Sequence, residues 1–341
     1  MLEELRVQNL GCLDENVNPA SFSQETVLIG PNNSGKSTLI AGLNLIKHYI
    51  HDRVASVSFS TTFYNFHNWN EAVYNHEKNR VISVVATIDS TKYVLHIGKG
   101  GTASRFEVNP SLPTEIQMRQ MKNIWYLRPN RSLVPYSLEI GSGRDSLQPQ
   151  LSPSGYDVIQ FLLERYTERD PNWNEAEEWF NKIDPEISSI RTPIRGKQTF
   201  FENLVRKSAF NASLHGSGFH SVASVISAVV FSPKGSTVII EEPEICLHKR
   251  TQEAIVDLFN DAVRNQEKQI IFSTHSWDML LPFISDVGRG SKRGKQHVRA
   301  DPEKFTLLAF NKSEGHVSIE PIDLSSMKVS NVKNYLKKLW G

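Results

Sequence analysis

Thr26-Val27-Leu28-Ile29, a run of β-branched and aliphatic residues, leads directly into Gly30-Pro31-Asn32-Asn33-Ser34-Gly35-Lys36-Ser37. That octet satisfies G-x-x-x-x-G-K-[ST] at every fixed position. Thr38 follows, and then apolar residues at 39, 40, 43, 45 and 46 recur at helical spacing. Strand, glycine loop and helix in this order constrain the chain strongly. Small residues let consecutive N–H groups turn inward around a phosphate, and the helix N-terminus adds partial positive charge. Lys36 would reach the outer phosphates as a mobile cation, while the Ser37 hydroxyl would ligate Mg²⁺. The implied ligand is a nucleoside triphosphate with its metal.

Asn181-Lys182-Ile183-Asp184 spells N-K-x-D, a guanine-recognition sequence, but its context argues against that role. The motif should end a hydrophobic strand, whereas Trp173 to Phe180 is polar and helix-like. No D-x-x-G lies between it and the glycine loop. Asn181 to Asp184 therefore reads as a helix C-terminus stopped by Pro185, not as a guanine-recognition strand end.

Far downstream, Ser236-Thr237-Val238-Ile239-Ile240 forms an aliphatic strand ending in Glu241-Glu242-Pro243-Glu244. Glu241 would hold Mg²⁺ directly or through water, and Glu242 would deprotonate the attacking water. Neighbouring side chains on a strand point opposite ways, so the strand must end here for both to act, and Pro243 helps to stop it. A second apolar strand, Gln269-Ile270-Ile271-Phe272-Ser273, runs into Thr274-His275-Ser276. His275 at a strand end could hydrogen-bond a γ-phosphate. Between these segments and the glycine loop, Gly216-Ser217-Gly218 precedes a small-residue and aliphatic run to Phe231. It reads as a turn opening a helix, an anion-binding terminus without its own lysine; alternatively Ser217 is simply the helix N-cap.

Composition narrows the classes. In 341 residues, 38 lysines and arginines face 37 acids, for a net charge of +1, so any nucleic-acid contact must come from a local patch. Hydrophobic residues at 39% allow a sizeable core. The two cysteines, Cys12 and Cys246, form neither a metal cluster nor a disulfide framework. No apolar run approaches the roughly 20 residues needed to span a bilayer. Met1-Leu2-Glu3-Glu4 lacks the build of a secretory signal. A soluble cytoplasmic protein with no membrane partner is expected.

These segments, in this order, resemble the ABC-type ATPase heads of the SMC, RecF and OLD group, and most of all the stand-alone OLD-like ATPases of bacterial antiphage defence. Leu5-Arg6-Val7-Gln8-Asn9-Leu10-Gly11 is similar to the group's opening strand, and Gly30 to Thr38 to its glycine loop. Ser217-Gly218 resembles its signature loop, Glu241-Glu242-Pro243-Glu244 with Leu247-His248 its Walker B segment, and Ser273-Thr274-His275-Ser276 its switch. The resemblance implies an α/β P-loop fold with a mixed sheet and flanking helices. It also implies a head-to-tail homodimer, or a higher homo-oligomer, in which each ATP lies on Lys36 and Ser37 of one protomer and is closed by Ser217 and Gly218 of the other. Three residues depart from the pattern. Glu241 stands for the usual aspartate, Phe219-His220 for the Gly-Gln of transporter signatures, and Lys249 for a frequent proline. Gln117 and Gln120 are the candidates for a glutamine loop.

The expected organisation is a split ATPase head over residues 1–50 and 205–320, an insertion over 51–204 and a helical tail over 321–341. Within the insertion, 81–88 and 92–97 read as strands joined by Asp89-Ser90-Thr91, Ile124 to Leu127 as a further strand, and 154–183 as two helices parted by Pro171. Arg128 and Arg131, after that strand, could touch nucleotide or a partner, or lie in a surface loop. No sustained heptads predict a long coiled coil. The aromatic residues Phe63, Tyr64, Phe66 and Trp69 suggest core packing, and Val332 to Trp340 an amphipathic helix docking on the body or on another chain. Residues 289–299 collect Arg289, Lys292, Arg293, Lys295 and Arg299, a basic loop suited to DNA phosphates. No acidic cluster suited to a nuclease follows His275, so the expectation is an ATPase controlling a separate effector, such as a nuclease, in antiphage defence. A RecF-like DNA-repair clamp and a slow nucleotide-gated scaffold are the alternatives.

Overall fold

The computed structural model describes residues 1–52, 60–61, 64–65, 69–77, 79–129, 131, 135–139, 150–284, 304–324 and 329–340. The basic loop at 289–299, Phe63 and Phe66 lie outside the described residues. The chain divides into two compact units, one formed by Met1–Asn123 with Ser273–Gly341, the other by Ile124–Phe272.

The first unit opens with β1 (Leu2–Gln8), β2 (Ala20–Ser21), β3 (Glu25–Ile29) and α1 (Lys36–Asp52). A two-strand ladder, β4 (Ser60–Thr61) with β5 (Tyr64–Asn65), and the single turn α2 (Trp69–Ala72) come next. They are followed by β6 (Ile82–Ile88), β7 (Thr91–Ile97), β8 (Ala103–Asn109) and α3 (Thr114–Lys122). Strands β2-β1-β6-β7-β8 form an antiparallel sheet. In β6 the side chains of Ile82, Val84, Ala86 and Ile88 are buried in strict alternation, the signature of a sheet with one face on a core. Asp89 and Ser90 both take positive φ, 47° and 59°, so the β6–β7 hairpin closes on two residues and Thr91 joins the strand. Helix α1 packs on β1 through Gly42, where a Cβ would lie 2.3 Å from Val7 Cγ2.

In the same unit β3 is buried at every position after Glu25, as a strand covered on both faces must be. It pairs in parallel with β18 (Phe305–Ser313), from Phe305 opposite Glu25 to Ala309 opposite Ile29. β19 (His316–Pro321) runs antiparallel on the far side of β18. Two helices complete the unit, α8 (Trp277–Ile284) and α9 (Val329–Trp340). Val332 and Leu336, one turn apart on α9, are fully buried, and Lys333 Nζ lies 5.4 Å from the Trp277 ring centroid. The tail helix therefore docks on its own chain.

The second unit holds β9 (Ile124–Leu127), β10 (Leu138–Glu139), α4 (Val158–Thr167), α5 (Trp173–Ile183) and β11 (Ile187–Arg191). After them come β12 (Ile194–Arg195), β13 (Gln198–Thr199), β14 (Glu202–Val205), β15 (Ser208–Asn211) and α6 (Ser217–Phe231). It closes with β16 (Thr237–Glu241), α7 (Lys249–Gln266) and β17 (Gln269–Ser273). β16 lies between β17 and β9 and is parallel to β9, with Ile239 opposite Tyr126. Every residue of α6 from His220 to Phe231 is buried, which makes it the unit's central helix. Phe161 of α4 meets Phe231 of α6 edge-on, with ring centroids 5.7 Å apart. Buried Lys268 donates from Nζ to the Val229 and Val230 carbonyls at 2.5 and 3.2 Å, serving the C-terminal end of α6. Burial pulls its pKa down to about 8. Asn181 to Asp184 ends α5, as its polar context predicts, and is not on a strand.

Candidate functional site

In the first unit the glycine loop follows β3 and α1 starts at Lys36, so a helix N-terminus opens directly onto the loop. Asn33 (φ 60°) and Gly35 (φ 98°) are both left-handed, which curls the loop. Glycine is required at 35, because a Cβ there would meet Leu13 Cδ2 at 2.6 Å in an already unfavourable conformation. Lys36 is only 6% exposed, and its ammonium donates to the Gly30 carbonyl at 2.8 Å, the Pro31 carbonyl at 2.9 Å and Ser34 Oγ at 3.4 Å. The cation thus sits inside the ring of the loop. Thr38 Oγ1 lies 3.8 Å from Cys12 Sγ.

The segment carrying His275 is brought to the strand that delivers this loop, since the Thr274 amide donates to the Leu28 carbonyl at 3.2 Å. His275 is partly buried, one residue past that bond. Ser276 serves the start of α8, with Oγ accepting from the Met279 amide at 3.4 Å. Gln120 is occupied within its own sheet region, accepting from the Tyr93 hydroxyl and donating to the Ile88 carbonyl, and Gln117 donates to Leu112.

In the second unit β16 carries Glu241 at its buried end, 2% exposed. Glu242 follows in the left-handed region at φ 46°. The chain breaks out of the extended conformation between the two carboxylates, as the sequence requires for both to act, and Glu242 is re-aimed by the turn. Pro243 and the turn bonds Ile245 N to Glu242 O and Leu247 N to Glu244 O carry the chain away from the sheet. Tyr126, on β9, donates its hydroxyl to Glu241 Oε1 at 2.5 Å. Burial first, then the neighbouring Glu241 charge, hold the Tyr126 pKa well above its usual value, so the phenol remains a donor.

Arg131, partly buried, donates to three groups: Ser221 Oγ at 2.9 Å, the Glu241 carbonyl at 2.7 Å and the Glu242 carbonyl at 3.4 Å. Burial lowers its pKa to about 10, against the pull of Glu244, Glu241 and Glu242, which leaves it cationic at neutral pH. These bonds tie it to the end of β16 and to α6 of its own chain. No local pattern in the sequence marks Tyr126 as the partner of Glu241. The available signal was the placement of both on the strand end and turn following β9, the parallel neighbour of the carboxylate strand, where α/β sheets place functional groups.

Ser217 is the first residue of α6, and Gly216 is the N-cap, with no side-chain cap bond. Ser217 is therefore not the cap itself. Gly218 lies so close to the turn after β16 that a Cβ would stand 2.6 Å from the Cys246 carbonyl oxygen. The same unit thus packs the start of α6 against the carboxylate turn.

The donors in hand suit Mg²⁺ better than a metal caged by protein. Among the described residues no group of three or more His, Cys, Asp or Glu could hold a metal. Mg²⁺ needs only one or two protein donors when phosphates and waters complete its shell; the first unit offers a hydroxyl at Ser37 and the second a carboxylate at Glu241. No helix among the described residues is long and apolar enough to cross a membrane.

A glycine loop with a central lysine and a carboxylate-ended strand define a P-loop nucleotide-hydrolysing protein of the ABC architecture. Comparison with known proteins agrees. The family model described as "AAA ATPase domain" matches residues 137–280, which include α6, β16 and His275. An OLD nuclease from Thermus scotoductus is 21% identical over 369 residues, covering 94% of this chain and 66% of that protein. The energy-coupling factor transporter ATP-binding protein EcfA2 of Spiroplasma kunkelii is 25% identical over 131 residues, covering 34% of this chain and 41% of that protein. The chain thus spans 66% and 41% of the length of these two curated relatives. Among solved structures, an SMC head bound to the C-winged helix domain of ScpA superposes with a TM-score of 0.63 at 13% identity, covering 98% of this chain and 99% of that one. By these likenesses the chain carries an ATPase domain, has the fold of an SMC head, and is similar to the SMC/RecF/OLD-like ABC-type ATPases.

Proposed function

We propose that this protein binds ATP with Mg²⁺, dimerises around it head to tail, and uses its hydrolysis to control a separate effector, a nuclease, in antiphage defence. The observation that carries the hydrolytic part is the left-handed turn at Glu242, which gives two successive carboxylates separate directions. Bound Mg²⁺, held by Ser37 and Glu241, would supply charge neutralisation at the phosphates. Lys36 binds the β- and γ-phosphates, helped by the backbone N–H groups of Gly30, Asn32, Asn33, Ser34, Gly35, Lys36, Ser37 and Thr38, while Pro31, which has no N–H, only shapes the loop. Glu242 takes the proton from the water whose oxygen attacks the γ-phosphorus, while the bond from that phosphorus to the β–γ bridging oxygen breaks. His275 hydrogen-bonds the γ-phosphate and holds the water in line.

The start of α6 supports the dimer. Ser217 is exposed and Gly216 offers no side chain to the first turn, so the helix end can receive a phosphate from a second protomer. Native mass spectrometry of the Glu242→Gln protein tests this, with a dimer expected only when ATP is present. Ser217→Arg should keep ATP binding by the protomer and abolish the dimer; a dimer that survives this change refutes the sandwich. The effector reading is supported by the likeness to an OLD nuclease. It is tested by tagged co-purification with the products of neighbouring genes, and recovery of the ATPase alone would count against it.

A further inference from the structure

We propose that Arg131 is a positioning residue for hydrolysis, holding Glu242 in its working orientation through the backbone of the turn at the end of β16. The inference rests on the reading of Glu242 as the base that activates water.

The turn needs such a holder. A residue other than glycine in the left-handed region costs of order 1–3 kcal/mol and persists only where its surroundings over-determine it. Glu242 has that conformation, with φ 46°, at the point where the side-chain direction matters most. Rotation at this one residue would swing the carboxylate away from any fixed water. The β16–β9 ladder cannot fix it, because the pairing register ends at Ile240 opposite Leu127, before either carboxylate is reached.

Arg131 continues where the ladder stops. It lies four residues beyond Leu127, and its guanidinium takes the carbonyls of Glu241 and Glu242 at 2.7 and 3.4 Å. The third bond, to Ser221 Oγ at 2.9 Å, anchors the same group to the first turns of α6. One planar fork therefore ties the strand end, the strained residue and the central helix together. Lysine cannot reproduce this, since an ammonium is a point charge without a planar array of donors. The carbonyls of two successive residues are an unusual target for a cation beside three carboxylates, and they suit an element whose task is to fix backbone rather than to neutralise charge. Arg131 contacts no reacting atom in this scheme, so its effect must pass through Glu242.

The test is a double-mutant cycle of Arg131→Lys with Glu242→Gln, read by single-turnover hydrolysis, fluorescent-nucleotide affinity and melting temperature. Arg131→Lys should leave ATP affinity within about twofold and lower the hydrolysis rate on the order of 10-fold or more. In the Glu242→Gln background it should lower the residual rate no further, because the group it positions is already gone. Ethylguanidinium added to Arg131→Ala should restore part of the rate, which a merely structural loss would not allow. Ser221→Ala, which removes one anchor and keeps the fork, should slow hydrolysis by a smaller factor and serves if Arg131→Ala does not fold. Equal rates for wild type and Arg131→Lys, or losses that multiply with Glu242→Gln, overturn the proposal. If Glu242→Gln itself hydrolyses ATP at the wild-type rate, the base assignment fails instead, whatever the arginine variants do.

Discussion

Tyr126 on β9 and Glu241 on β16 are joined by a 2.5 Å hydrogen bond from the phenol to Oε1, between parallel strands. On the reading of Glu241 as a metal ligand, the bond would steady a glutamate where the resembling heads use an aspartate. The extra methylene makes the carboxylate longer and freer, and the tyrosine removes that freedom. A hydrogen bond to a charged group is worth about 1.5–3 kcal/mol, so its loss should be felt at the metal. Tyr126→Phe should raise the Mg²⁺ concentration for half-maximal hydrolysis several-fold and lower the maximal rate by about 10-fold. An unchanged Mg²⁺ titration would show that the tyrosine does not orient this ligand.

At Glu242, stability and activity should move in opposite directions. Glycine tolerates the left-handed region without the Cβ penalty, so Glu242→Gly should stabilise the fold by about 1 kcal/mol, less any loss from side-chain contacts. It should at the same time lower hydrolysis by at least about 100-fold, because the proposed base is gone. Glu242→Gln should match it in rate but not in stability. Urea denaturation beside a phosphate-release assay separates the two effects, and a glycine variant less stable than the glutamine one would remove the argument from strain.

The sequence made the ends of these elements more legible than their contacts. The turn between β3 and α1, the end of β16 at Glu241, the end of β17 before His275 and the start of α6 are all readable, because each is a local pattern at the boundary of a periodic segment. The break after Glu241 could be anticipated from the incompatibility of two useful side chains on one extended strand. Tyr126 and Arg131 were not readable in the same way. Their partners lie 115 and 110 positions away for Glu241 and 90 away for Ser221, and only the parallel register of β9 with β16 brings them together. The sequence likewise leaves the docking of α9 open, and the burial of Val332 and Leu336 decides it. Periodicity gives a helix its apolar face but not the surface that face meets.

Lys36 supplies its ammonium to the Gly30 and Pro31 carbonyls and would exchange these for phosphate oxygens when ATP binds. Lys36→Ala should therefore weaken ATP binding at least about 100-fold while leaving the fold intact. Thermal shift gives a direct measure. A ligand at 100 times its Kd stabilises the native state by about 2.7 kcal/mol, so wild type should melt at a clearly higher temperature with ATP and the alanine variant should not respond. A full ATP-induced shift in the variant would mean that the loop amides alone carry the binding.

His215 and His220, at the start of α6, should make the fold less stable in mild acid. Burial is the main cause of lowered pKa in both; Asp184 opposes it at His215, and the backbone bond to His215 opposes it at His220. The His220 ring is held by the His215 carbonyl at 3.0 Å, and the His215 ring lies 3.1 Å from the Asn203 amide nitrogen. Because the folded pKa lies below the unfolded value of 6.5, both states are neutral above that pH and nothing is lost there. As pH falls below it, the unfolded chain takes up protons first, so stability declines until the folded histidines protonate in turn. The slope in that window is at most about 1.4 kcal/mol per pH unit for each histidine. His220→Gln should flatten the pH dependence of unfolding between pH 6.5 and 5 relative to wild type, measured by urea denaturation at each pH. An unchanged slope would show that His220 carries the same proton in both states.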